Sequence, residues 1–327
     1  MAFSNTYDTT NPGSGVSNRE DLTDILTILA PEETPVLSSA PKSKATATFV
    51  EWTVDSLAAP STAGVAEGSD VTAFTDKFSG RARLGNYVQK FRRDFMVSDL
   101  QDAVESVGPA KIAEAEAKSA RELKRDVEAT LCSTNDRTAE DGAGAVYGLR
   151  GLGDWIDSAG PTDVPAAYRT PADSIHSTGA LTESGFNDLI TSIYRVTGST
   201  NNLTLVADTA LRRVIADYAR TSGSTNAVYR SVTQSADSKT IKLSVEMYES
   251  DHGMVSVVNM NPDCAPDTTN KDSGYLINPD YYGVAELIGL GSTRLPNLGG
   301  GQRGYVDTTL SLLVKHPGAH GKITAIA

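Results

Sequence analysis

Polar and apolar positions follow a clear rhythm between residues 109 and 132, PAKIAEAEAKSARELKRDVEATLC. Leu123, Val127 and Leu131 recur every four residues, and strong helix formers fill the positions between them. The spacing predicts one long helix, opened by Pro109 and carrying a narrow apolar stripe. At 1.5 Å per residue it would be about 36 Å long. Glu114–Lys118 and Lys124–Glu128 stand four apart and are expected to pair along one face. So polar a rod belongs on a surface, offering its remaining faces to neighbours. A surface helix of an ordinary enzyme would carry the same pattern.

The rest of the chain divides around that helix. Residues 1–17 hold little to bury, so something outside their own domain must hold them. Leu22, Ile25, Leu26 and Leu29 then fall at helical spacing behind the capping candidates Ser17 and Asn18, and Pro31 and Pro35 end that short helix. From Thr46 to Leu57 the period changes to two, with Val50, Trp52 and Val54 alternating with Glu51, Thr53 and Asp55. A polar stretch leads to the strand-like RARLGNYVQKFRRDFMV, so the two runs predict a long hairpin with a loose tip. Two strands alone are marginal in water, so this hairpin should lean on another element or another subunit.

Ser98 caps a short helix over 98–107, and residues 157–180 are polar and loop-like. Thr182 caps a helix with Phe186, Leu189, Ile190 and Ile193 on one face; a buried strand, Leu203–Ala207, follows, and then a helix opened by Asp208. This block predicts a compact α/β unit. Beyond it lie a hairpin over 241–260 turning at Asp251, His252 and Gly253, a strand pair within 274–289, a flexible return at 299–305, and terminal strands at 308–315 and 321–327.

Composition narrows the possible functions. The net charge of −12 argues against tight binding of nucleic acid, and an acidic wall would repel packed DNA. The return strand nevertheless gathers Arg81, Arg83, Lys90, Arg92 and Arg93. A solvated strand edge accounts for them; so would contact with acidic groups on a neighbouring copy. The cysteines, Cys132 and Cys264, form no disulfide framework, which fits synthesis in a reducing cytosol. The opening MAFSNTYDTTNPG is unlike a signal peptide, and no apolar run is long enough to span a membrane.

Chemistry is sparse. Gly142, Gly144 and Gly148 lack phosphate-loop spacing. Pro317 and Gly318 keep His316 and His320 off a common helical face, so neither metal nor cofactor is expected. There is no GxSxG or HExxH, and Cys132 is expected to be a quiet packed thiol. No catalytic residue is expected. A Lys–Asn cross-link from Lys77 or Lys90 has no spacing motif behind it.

The motifs YDTTNPG at 7–13, REDLTDILTILAPEETPVL at 19–37, EWTVDSL at 51–57, YGLRGL at 147–152 and HPGAHGKI at 316–323 occur in an order and spacing similar to one branch of the tailed-phage major capsid proteins. The chain therefore resembles the Hong Kong ninety-seven-like fold along nearly its whole length. That resemblance implies an α+β fold with an N-terminal arm (1–45), an extended β-hairpin loop (46–97) and a peripheral domain with a spine helix (98–178). An axial domain (179–300) and return strands of the peripheral domain (301–327) complete it. It implies a structural, non-enzymatic subunit that assembles in the host cytoplasm into pentamers and hexamers of an icosahedral virion shell around double-stranded DNA. A separate scaffolding protein, a portal and a decoration protein are implied partners, and no membrane. Leu22, Ile25, Leu26, Trp52, Arg81, Arg83, Lys90, Arg92, Arg93, Glu114 and Glu122 are the expected assembly-interface residues. Two rivals remain: an encapsulin-like nanocompartment shell around a cargo protein, and a soluble hydrolase using Asp or Glu.

Overall fold

The structure, a computed structural model, describes residues 33–104, 111–200, 202–218, 246–266 and 272–326. In chain order its elements are α1 (Pro35–Ser39), β1 (Lys42–Lys44), β2 (Phe49–Val54), β3 (Ala82–Tyr87), β4 (Gln89–Val97), α2 (Asp99–Ala103), α3 (Lys111–Cys132), α4 (Leu152–Trp155) and β5 (Ile175–His176). Then come α5 (Glu183–Thr197), β6 (Leu203–Ala207), α6 (Thr209–Tyr218), β7 (Met247–Ser250), β8 (Gly253–Asn259), β9 (Gly274–Ile277), β10 (Tyr282–Leu295), β11 (Gln302–Val314) and β12 (Gly321–Ile323). The expected helix bearing Leu22, Ile25 and Leu26 lies outside the described residues, as do Pro109 and the hairpin positions 241–245.

Two sheets organise the molecule. One has four strands in the order β1-β10-β11-β4; the other has six in the order β5-β12-β9-β6-β8-β7. The stripe Leu123, Val127 and Leu131 of α3 is buried in a core shared with Phe91 and Phe95 of β4 and with Val306, Leu310 and Leu312 of β11. This is why so polar a helix is stable: its thin apolar edge is enough to seat it on the first sheet. Strand β11 alternates buried and half-buried positions from Gly304 to Asp307, then is buried almost continuously from Thr308 to Leu312. The change marks where both of its faces become covered. The second sheet carries α5 on a separate core of Phe186, Leu189, Ile190, Ile193, Leu205 and Val257. Thr182 Oγ1 accepts from the Gly185 amide at 3.1 Å to start α5, and Gly198, at φ 69°, ends it in the left-handed conformation.

Several expectations need correction. The return strand divides near Val88: β3 pairs with β2, whereas β4 leaves the hairpin and pairs with β11. The strands within 274–289 do not pair with each other, because β9 belongs to the six-stranded sheet and β10 to the four-stranded one. The flexible return is shorter than expected, since β11 starts at Gln302 and pairs Arg303 with Leu295. Gly301, at φ 128°, turns the chain where a Cβ would meet the Val97 carbonyl. The expected boundary at 300 falls inside the β10–β11 hairpin, and β12 joins the sheet that carries α5. Glu128 is not paired with Lys124; it is buried and turned toward α1. Among the described residues, Glu114 and Lys118 form no ion pair either.

Candidate assembly surfaces

The β2–β3 hairpin is rooted firmly and ends loosely. Its base is held by Asn86, which is fully buried. Asn86 Nδ2 donates to the Leu312 carbonyl at 3.0 Å and to the Arg150 carbonyl at 3.2 Å, while its Oδ1 accepts from the Arg150 amide at 2.8 Å. Further out, the Tyr168 hydroxyl donates to the Gly80 carbonyl, and Arg81 Nε meets Asp55 at 2.8 Å. Beyond that clasp the chain leaves the body. Every residue from 55 to 81 is exposed and none is in a helix or strand. Leu57, Val65, Val71, Phe74 and Phe78 all face water, with Phe74 90% exposed.

The basic residues do not form one surface. Arg81 and Arg83 lie on the hairpin and meet Asp55 and Glu51; Lys90, Arg92 and Arg93 lie around β4 and meet Asp307, Asp94 and Asp126. All five thus have a partner in their own chain, and all stay substantially exposed. Arg93 binds Asp126 of α3 through two nitrogens, at 2.5 and 2.7 Å, which pushes the Arg93 pKa up; Glu122 adds to that field. Glu122 lines a cleft of about 190 Å³ with Arg93, Arg125, Asp126 and Asp263. Glu114 is half-buried in the first turn of α3. Trp52 packs its ring against Trp155 with 5.7 Å between centroids, and its Nε1 is buried without a hydrogen-bond partner.

Other surfaces and anchors were not singled out by sequence. The far end of the β10–β11 hairpin forms a groove of about 430 Å³ lined by Arg92, Phe95, Met96, Leu295, Arg303 and Tyr305, with Leu298 exposed close by in sequence. Arg150 is buried and contacts Asp136 at 2.6 Å, Asp163 at 2.8 Å and Asp154 at 2.9 Å, with its guanidinium 4.8 Å from the Trp155 ring. Burial opposes its charge, but the hydrogen bonds it donates to Asp163 and Asp136 win and hold its pKa up. An arginine inside the apolar, glycine-rich YGLRGL run was the available signal. Glu128 takes two backbone amides of α1, and a carboxylate one residue beyond Val127 of the stripe was its only trace. Cys132 and Cys264 are free and buried, and burial pushes both thiols up, Cys264 to about 11. Among the described residues no cluster of three His, Cys, Asp or Glu is placed to hold a metal, and no helix is long and apolar enough to cross a membrane.

A family model described as SU10 major capsid protein matches residues 3–327. No curated protein matches the chain. Among solved structures, the capsid of the native GTA particle aligns with a TM-score of 0.61 at 14% identity, covering 98% of this chain and 99% of that one. The capsid of Cyanophage P-SCSP1u aligns with a TM-score of 0.63 at 10% identity, covering 99% and 98%. The capsid of Cyanophage A-1(L) gives 0.62 at 14% identity, covering 94% and 97%. At such identities these structures speak for the fold alone, an α+β capsid fold.

Proposed function

Because the chain belongs to the SU10 major capsid protein family, and so is a structural, non-enzymatic protein of the virion shell, we propose that its copies close into rings of five and six that build an icosahedral head around double-stranded DNA. Family membership favours neither the nanocompartment nor the hydrolase. Residues 55–81 carry the proposal. This polar segment holds Leu57, Val65, Val71, Phe74 and Phe78 out to water, and a sister subunit that covers them removes that cost. Head-to-tail contacts of this kind close into rings. An obligate interface typically buries about 2,000–5,000 Å².

In this reading, residues 1–45 form the arm, 46–97 the extended loop, 98–178 the peripheral domain with α3 as spine, 179–300 the axial domain and 301–327 the returning strands. The sheets qualify that division: β10 is built with the spine side and β12 with the axial side. Arg81, Arg83, Lys90, Arg92 and Arg93 would exchange or share their internal carboxylates with those of a neighbour, steering subunits into register. Leu22, Ile25 and Leu26 of the arm, and Glu114 and Glu122 of the spine, are further contact residues in the proposal, as is Trp52. A scaffolding protein, a portal and a decoration protein would complete the head. With a net charge of −12, the DNA would be enclosed without sequence-specific binding.

Electron microscopy of the protein expressed alone and with a scaffolding partner tests the reading. Closed shells with five- and six-fold capsomers are expected. A monodisperse species of one to four subunits under all conditions would overturn it.

A further inference from the structure

One end of the molecule carries both a hollow and a knob. The hollow is the groove of about 430 Å³ at the far end of the four-stranded sheet. Along β4, Phe91 and Phe95 turn into the core shared with α3, and Arg93 meets Asp126 of α3. Side chains alternate along a strand, so Arg92, Asp94 and Met96 stand on the opposite face, where all three are exposed. The ladder sets Met96 beside Arg303, Arg303 beside Leu295, and Asp94 beside Tyr305. The groove thus has an apolar floor of Met96, Leu295 and Tyr305 between the guanidiniums of Arg92 and Arg303. Arg92 is matched by Asp94 at 3.1 Å. Arg303 Nε donates to the Pro296 carbonyl at 3.1 Å and, among the described residues, meets no carboxylate.

The knob is α2, which starts within three residues of Met96. Leu100, 82% exposed, and Val104, also exposed, stand four apart on one side of this short helix, with Asp99 and Asp102 flanking them. Asp102 forms no ion pair among the described residues. The knob is held rigidly. Ser98 caps its start, and Lys111 Nζ of α3 donates to the carbonyls of Gln101, Asp102 and Val104 at its end. Asn297 Nδ2, from the turn between β10 and β11, donates to Asp99 at 3.4 Å. A surface ordered in advance has little freedom left to lose when a partner covers it.

We propose that α2 of one copy seats in this groove of a second copy, while the second copy's α2 seats in the groove of the first. Leu100 and Val104 enter the apolar floor, and Asp102 meets Arg303. Each of these two charges lacks a counter-charge in its own chain, and each finds one of opposite sign across the contact. Knob and groove adjoin at one end of the molecule, so a twofold axis there makes both contacts at once. A twofold pair is closed and cannot extend into a ring of five or six. It joins one ring to the next, which the head-to-tail contact of residues 55–81 does not do. That place in the shell rests on the capsid reading; the pairing of two copies does not.

Charge reversal in the full-length chain tests the contact. Arg303→Glu alone, or Asp102→Arg alone, should leave thermal unfolding near native and rings intact. Each should cut the yield of closed shells in electron microscopy at least about tenfold, because like charges then oppose each other at both contacts. The double variant exchanges the signs and should restore the shells. Undiminished shells from either single variant, or no recovery in the double variant, overturns the proposal. A covalent trap reads the contact without shells, and it decides if a reversal prevents folding. Cys132 and Cys264 are buried, so introduced thiols are the accessible ones. When Leu100→Cys chains are mixed with Leu295→Cys chains and oxidised with copper phenanthroline in air, unlike chains should become disulfide-linked in preference to like ones. Shells without linked pairs remove the contact and leave the capsid reading standing. Linked pairs without shells uphold the contact and count against the capsid reading.

Discussion

His320 sits where the two sheets meet, fully buried between the end of β9 and the start of β10. Its Nδ1 accepts from the Asn278 amide at 3.2 Å, so the ring proton is on Nε2, which faces the Tyr281 carbonyl at 3.4 Å. Burial pushes its pKa from 6.5 down to about 4, with the Tyr281 carbonyl opposing and His316 adding to the fall. The unfolded chain then binds the proton more readily than the folded one. Stability contributed by neutral His320 is complete above pH 6.5 and is lost as pH falls toward 4, by about 3 kcal/mol in all. Denaturant titrations at pH 7 and 4.5 should show this loss, and His320→Gln should reduce it. In the sequence, Pro317 and Gly318 separate His320 from His316 and keep the two off a common helical face. Nothing there hints at burial, because Asn278 and Tyr281 lie some forty positions upstream. Arg150 was hidden for the same reason: Asp136 and Asp163 flank it in sequence, but only the packing on Trp155 and the Asn86 bonds shows that it is interior.

Elements with a strong internal period were legible, and those whose role depends on a distant partner were not. α3, α5 and β6 followed from their apolar spacing, and α2 from its cap, where Ser98 Oγ accepts from the Gln101 amide at 3.2 Å. The β2–β3 hairpin was also readable, but the strand exchange at Val88 was not. Nothing local separates LGNY from QKFRRDF; what separates them is that β11 offers β4 a longer ladder, from Gln302 to Leu310. The division makes a specific prediction. The hairpin base is clasped by Asn86 and Tyr168, so only the segment beyond it should respond to a neighbour. Hydrogen exchange in free subunits and in shells should differ within residues 55–81 and hardly at all in β2 and β3. The double substitution Phe74→Asp and Phe78→Asp should block shell formation while changing subunit stability by no more than about 1 kcal/mol, because both side chains are exposed and Phe78 gives up only its stacking under Arg81. Normal shells from that variant would sink the proposed role of the tip.

For the whole molecule, the order of parts along the chain proved more informative than any one motif. It carried the α+β capsid fold, although the assignment of strands to sheets was hidden by connections that cross between them. The root of the arm illustrates the limit. The resemblance grouped residues 1–45 as one arm, yet α1 and β1 are seated on α3 and β10. Deleting residues 1–30 should therefore leave a folded, soluble subunit with near-native thermal unfolding, while electron microscopy should find no normal shells. Normal shells would remove the arm from the assembly scheme. The six-stranded sheet has a further consequence in time. Its strands are drawn from residues 175–176 at one extreme and 321–323 at the other, and β12 lies between β5 and β9 rather than at an edge. A polypeptide still being translated lacks this wedge until residues 321–323 have been made. The six-stranded sheet can therefore close only once nearly the whole chain has been made.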